Sequence, residues 1–284
     1  MPAFFSQRRA LFGLAMAVSI AVCGLTGCLA TAGSPSLDAL DPVSVYDVAQ
    51  GDLSLTWVEG EDSLEDDSAL WESVLALLPV SELRGRVVEF QVFSDGPEDT
   101  LAYIAKLDPE EDTWLFALDY VDAAEADEGE WVTTLTHEYA HIITLGAGQL
   151  DGAPITCARS FEVEEGCALP GSVLLAWVSR FWPPDLQRLH TTLVGPPGED
   201  PEALTAFFER YPLDFVNEYA ASNPVEDVAE SFAYFVFLDT PDTPRTERER
   251  KVQFFYDYPN LVRLRSLIRS RTPVRRASID SEPG

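Results

Sequence analysis

Three histidines occur in 284 residues, and two of them stand four apart in Thr136-His137-Glu138-Tyr139-Ala140-His141. On an α-helix, positions i and i+4 share one face a turn apart, so both imidazoles can reach a single ion. Glu138 projects close to that face, near enough to touch a water on the ion without being a ligand. This H-E-x-x-H pattern suits zinc, which takes a third protein ligand from elsewhere and keeps its fourth position for water. The competing reading is a helix with two chance surface histidines. Histidine is too scarce in this chain for that to be the better account.

The segment around the pair has the pattern needed to hold it. Trp131 to Leu135 before it and Ile142 to Leu145 after it place apolar residues at helical spacing. Glu128 and Glu130 mark the N-terminus of such a helix, and Gly146 with Gly148 marks its stop. A helix this apolar is expected to be buried, which keeps metal ligands stiff. The longer metzincin pattern is excluded, because it needs glycine at 144 and histidine at 147, where Thr144 and Ala147 stand. A distant carboxylate must then complete the site.

Residues 219–233 offer one. Pro224 can start a helix with Asn223 as its cap, and Glu226 and Glu230 then share a face at i, i+4. Val225, Val228, Ala229, Phe232 and Phe235 bury the segment, and buried carboxylates need a partner such as a metal with its histidines. The plainer alternative in so acidic a chain is an amphipathic helix with solvated acids. His190, the third histidine, could serve as another ligand or as an oxyanion donor. Its place after a Trp-Pro-Pro turn, with no carboxylate motif around it, favours an ordinary packed or surface residue.

Together these residues resemble the gluzincins, H-E-x-x-H metallopeptidases whose third ligand is a glutamate on a later helix. The spacing of Tyr219, Glu226 and Glu230 is similar to that in the catalytic domain of the anthrax lethal factor type. The stretch from about Trp131 to Arg271 is also similar to a group of exported bacterial zinc-binding metallopeptidases that carry T-L-x-H-E-x-x-H-x-x-T-L and E-D-x-A-E-S-F-A. The resemblance implies an α+β, zincin-like fold: a small mixed sheet and the H-E-x-x-H helix, then a mainly helical C-terminal subdomain. It implies one zinc ion per chain on His137, His141 and Glu226, with Glu138 as general base and Tyr219 stabilising the oxyanion. Glu230 and Asp227 would accept from the imidazole N–H groups. The implied reaction is hydrolysis of peptide bonds in a peptide or protein substrate. In such folds the last strand before the metal helix is an edge that binds substrate by strand addition.

The N-terminus reads as a targeting segment. Arg8 and Arg9 precede an apolar run from Leu11 to Leu25 that is short for a membrane span. It ends in Leu25-Thr26-Gly27-Cys28, which looks like a bacterial lipobox. Cleavage before Cys28 would leave a cysteine carrying several acyl chains, each anchored by about 0.8 kcal/mol per buried CH2. The competing site is Ala30-Thr31-Ala32, whose cleavage would release the protein into the envelope or the medium. Cys23 leaves with the leader, so Cys157 and Cys167 remain, an even pair expected to form a disulfide in an oxidising compartment.

The boundaries expected are a leader at 1–27, a flexible linker at 28–43, one domain at 44–275 and a disordered tail at 276–284. The net charge of −29 argues against nucleic acid and anionic membrane surfaces as partners. The chain is expected to act as a monomer. Helix is expected at 68–78, 174–182, 201–211, 224–237, 247–256 and 259–271, and strand at 86–93, 101–107 and 114–120. The acidic runs Glu61–Asp67 and Asp108–Asp112 read as solvated loops, since neither fits an EF-hand. A lipid-anchored extracytoplasmic peptidase is the leading expectation. A non-catalytic zinc-binding envelope lipoprotein and a protease toxin are the competitors. The toxin is disfavoured by the lipobox, and a merely structural zinc site needs neither Glu138 nor Tyr219.

Overall fold

A computed structural model describes residues 42–61, 64–95, 100–108, 110–152, 157, 160–196, 200–239, 243–276 and 279. The leader and Cys28 lie outside the described residues. The chain begins with strands β1 (Ser44–Val48) and β2 (Leu55–Gly60), then helices α1 (Leu64–Leu77) and α2 (Val80–Leu83). Strands β3 (Val87–Phe93), β4 (Ala102–Asp108) and β5 (Thr113–Asp119) follow, then α3 (Tyr120–Glu125) and the H-E-x-x-H helix α4 (Glu128–Leu145). The five strands form one mixed sheet in the order β2-β1-β3-β5-β4. β3 and β5 run parallel, and the other pairs are antiparallel.

Alternation places Phe90, Val92, Ile104, Phe116 and Leu118 on the main core, where Trp71 of α1 packs tilted against Phe90 at 5.0 Å between ring centroids. Phe93, Tyr103, Leu115 and Ala117 form a small cluster on the opposite face. β5 is buried at every position but its first, and it lies inside the sheet between β3 and β4. The expected edge is thus corrected. The strand at the margin beside α4 is β4, which pairs with β5 at the end of the sheet while β5 pairs with β3 on its other side. Strands β1 and β2 were not expected, and α1 starts four residues ahead of its expected start.

After α4 the chain makes a small sheet of β6 (Leu150–Asp151), β7 (Glu162–Val163) and β8 (Gly166–Ala168), with β8 in the middle. A disulfide joins Cys157 to Cys167 at a Cα–Cα distance of 5.3 Å, as expected. Helices α5 (Val173–Phe181), α6 (Pro184–Leu193), α7 (Pro201–Arg210), α8 (Pro224–Phe237), α9 (Glu247–Phe254) and α10 (Pro259–Arg269) complete the described chain. The molecule is therefore mixed α+β with a helical C-terminal half.

α8 is buried along its whole length and packs against α4. Its C-terminal carbonyls are held by the arginines of α10. Arg265 donates from Nε to Phe235 O at 2.7 Å, and Arg269 donates to Val236 O at 3.2 Å. Cations at a helix C-terminus satisfy carbonyls that have no partner within the helix. Arg276 and Ile279 are both buried, and Arg276 N donates to Phe237 O at 2.9 Å. Both residues lie within the segment 276–284 that was expected to be a tail. Among the described residues no helix is long and apolar enough to cross a membrane.

Candidate metal centre

Two buried helices carry the site, and each start is fixed by a side chain. Asp127 caps α4 by accepting from Glu130 N at 2.9 Å. Asn223 caps α8 by accepting from Val225 N at 2.8 Å and Glu226 N at 3.1 Å, with Pro224 in the first turn. Such caps hold N–H groups that have no partner inside the helix. Gly146 ends α4 because a Cβ there would lie 2.4 Å from Ile142 O. His137 and His141 are thereby fixed on one face of α4, opposite the first two turns of α8, with Glu138 at the border of that face.

Three ligand-type atoms converge between the helices. His137 Nε2 and His141 Nε2 lie 3.0 Å apart, and Glu226 Oε2 lies 3.0 Å from the first and 3.4 Å from the second. Tetrahedral zinc with bonds near 2.0–2.1 Å places its ligand atoms about 3.3 Å apart, so the spacing fits an ion of that size. Glu226 Oε2 is buried and has no hydrogen-bond donor properly aimed at it. The group as a whole could hold a metal ion.

The electrostatics point the same way. Burial pushes the His137 pKa down, but the Glu230 and Glu226 carboxylates overcome this and raise it well above 6.5. Burial opposes the charge of Glu226, yet the His141 and His137 rings beside it hold its pKa far below the carboxylate range. Three buried carboxylates around two imidazoles favour positive charge at the centre. A dication supplies that charge without protonating the rings.

The surrounding groups have distinct partners. Glu230 Oε1 lies 2.7 Å from His137 Nδ1, and its Oε2 accepts from Asn217 Nδ2 at 2.6 Å. Asn217 also accepts from Ala220 N at 2.9 Å, which ties the 3₁₀ turn at Tyr219–Ala221 to the cluster. Nothing local in the sequence marks Asn217. Tyr219 is 53% exposed, and its ring centroid is 5.7 Å from that of His137. The charge of Glu226 raises the Tyr219 pKa well above 10 and keeps the phenol protonated. Glu138 Oε1 stands 4.0 Å from His137 Nε2. Burial raises its pKa against the pull of both histidines, and the Ile104 backbone of β4 is hydrogen-bonded to it.

Two sequence candidates fall outside the cluster. Asp227 does not reach the imidazoles. Its carboxylate accepts from Lys251 Nζ at 2.8 Å, Trp182 Nε1 at 2.7 Å and Trp177 Nε1 at 3.1 Å. The reason is helical geometry: one residue past Glu226 is about 100° round the axis, toward α5 and α9. His190 is buried and bonds Ala221 O at 2.9 Å through Nε2, between the rings of Trp182 and Phe207. It packs beneath the Tyr219 turn and supplies no ligand.

No family model matches the chain, and no curated protein does. Among solved structures, a crystal structure described as a "putative zinc-binding metallo-peptidase" from Bacteroides caccae is similar at 15% identity and a TM-score of 0.34. The likeness covers 73% of this chain and 74% of that one.

Proposed function

We propose that this protein is a zinc-dependent metallopeptidase of zincin-like fold, and that Cys28 anchors it by lipid in the bacterial cell envelope, outside the cytoplasm. The observation that carries the catalytic reading is the convergence of His137, His141 and Glu226 with Glu138 beside them. A structural zinc site closes its shell with four protein ligands, whereas two histidines and one glutamate leave a position open. His137, His141 and Glu226 would hold the ion. Bound zinc supplies Lewis acidity, polarising a carbonyl and acidifying water.

The chain's own residues fit the remaining tasks. Glu138, its pKa raised by burial, takes the proton of the attacking water and passes it to the leaving amine. The Tyr219 hydroxyl, kept protonated by the carboxylates around it, donates to the oxyanion. Glu230 fixes the tautomer and direction of His137. β4, the margin of the sheet beside the site, offers backbone groups on which an extended peptide can add as a strand. The disulfide agrees with an oxidising compartment, and Leu25 to Cys28 supports the anchor.

The test is zinc content by elemental analysis together with cleavage of a mixed peptide library. The expected result is about one zinc per chain and cleavage that a chelator abolishes. A folded, zinc-loaded protein that cleaves nothing would favour a non-catalytic zinc-binding lipoprotein.

A further inference from the structure

One side chain joins the turn that carries Tyr219 to the helix that carries Glu226 and Glu230. Asn217 stands just ahead of the 3₁₀ turn Tyr219–Ala221. Its Nδ2 donates to Glu230 Oε2 at 2.6 Å, and its Oδ1 accepts from Ala220 N at 2.9 Å. These two bonds fix which way the amide points, since a carboxylate can only accept and a backbone N–H can only donate. The other oxygen of Glu230, Oε1, lies 2.7 Å from His137 Nδ1. With Oε2 held by Asn217, the carboxylate turns away from the imidazole only by breaking that bond.

The far end of the turn is held separately. His190 Nε2 donates to Ala221 O at 2.9 Å, and Ser222 Oγ donates to Tyr219 O at 2.6 Å. Of the bonds that hold this backbone, those of Asn217 alone also reach a carboxylate beside the histidines. The Tyr219 side chain is exposed, with its ring centroid 5.7 Å from that of His137, so its aim depends on the backbone beneath it.

We propose that Asn217 is a positioning residue with two ends. Through Glu230 it orients His137 for the metal, and through Ala220 it aims the Tyr219 hydroxyl at the reacting carbonyl. The inference rests on the metallopeptidase reading above. Metal affinity and oxyanion stabilisation, set by different groups, should then respond together to one residue that supplies neither.

The test uses the full chain, with zinc affinity read by chelator competition and kcat and KM read separately on a peptide that the parent cleaves. Asn217→Ala should lower zinc affinity about tenfold, the low end of the usual cost of disturbing an outer partner of a metal ligand. In zinc-saturated enzyme it should lower kcat about tenfold and leave KM unchanged, a smaller loss than removal of the oxyanion donor itself. In the Tyr219→Phe background the same change should leave kcat unchanged, because no hydroxyl remains to be aimed. Should Asn217→Ala fail to fold, Asn217→Asp keeps the volume and the acceptor for Ala220 N but sets a second carboxylate against Glu230. Zinc affinity should then fall while kcat at saturating zinc stays near the parent's. Adding Glu230→Gln restores one donor and one acceptor across the contact, and should return affinity to that of Glu230→Gln alone. An active, zinc-binding parent whose two Asn217 variants match it in both quantities would overturn the inference and leave the metal centre standing. So would a kcat loss that is equal with and without the Tyr219 hydroxyl. A folded parent that binds no zinc or cleaves nothing would overturn the metallopeptidase reading and the inference with it.

Discussion

Glu230 Oε1 lies 2.7 Å from His137 Nδ1, one helical turn beyond Glu226, whose Oε2 lies 3.0 Å from Nε2 of the same ring. One helix thus grips both nitrogens of one imidazole, as ligand partner on one side and orienting acceptor on the other. Unequal losses follow. His137→Ala, His141→Ala and Glu226→Gln should each bring zinc well below one per chain. Glu230→Gln should still bind, with affinity reduced about ten- to a hundredfold. Chelator competition measures both. Full retention of zinc in Glu226→Gln would remove it from the ligand set.

Binding and chemistry separate at Glu138 and Tyr219, which flank the ligands without belonging to them. Glu138→Gln keeps the shape of the side chain but cannot take a proton, so hydrolysis should cease while zinc and thermal stability remain. Tyr219→Phe should retain zinc and lose roughly 10²–10³-fold in kcat for want of the oxyanion donor. Parental rates in both variants would show that the site is not catalytic in this way.

Metal-free protein should depend on pH through the same groups. The His137 pKa is raised well above 6.5 in the fold, so its contribution is complete below that value and is lost as pH rises through the raised one. Glu138, also raised, acts in the same sense from 4.5 upward. Glu226 and Glu230 are lowered, so their contribution is present above 4.5 and is lost only as pH falls through the depressed values. Melting temperatures in chelator should therefore decline on the alkaline side of neutrality, and zinc should abolish that decline. An alkaline slope unchanged by zinc would separate the metal from these groups.

The parts legible in the sequence were those with local signals. Helix α8 runs from Pro224 to Phe237 as expected, because its cap, its proline and its apolar spacing all lie within fourteen residues. Helix α4 ends where Gly146 meets Ile142 O, again a local contact. What the sequence withheld is set by distant pairing. β7 is two residues long and exists only because β8 lies beside it, so the β7–β8 hairpin had no pattern of its own. The margin of the sheet was assigned to β5 instead of β4. The unbroken apolar run from Trp114 to Leu118 against the polar half of β4 was a usable signal for an interior strand. Asp227 was grouped with the acids near it in sequence, although position 227 leaves the face shared by 226 and 230.

That displaced carboxylate has its own consequence. Lys251 and Asp227 form a buried pair, with Lys251 Nζ 3.9 Å from the Phe215 ring centroid. Removing one partner of such a pair costs about 3–5 kcal/mol, because the other charge is left in the core. Lys251→Met should therefore lower stability by that order in denaturant titration. Asp227→Leu combined with Lys251→Met should cost less than the single change. Zinc affinity of the folded fraction should be near the parent's in both. A selective loss of zinc would tie Asp227 to the histidines after all.

The anchor is tested independently of the zinc site. Leu25-Thr26-Gly27-Cys28 closes the apolar run, and a lipidated Cys28 would hold the protein at a membrane through several acyl chains. Cys28→Ser should then move it from the membrane fraction to the soluble envelope fraction or the medium. A fatty-acid probe should label the parent and not the variant. In both, Cys157 and Cys167 should resist thiol reagents until reduced, because they are joined. A parent that takes up no lipid and begins at Gly33 would instead have been cut after Ala32. The enzyme would then be exported and free, with its metal centre unaffected.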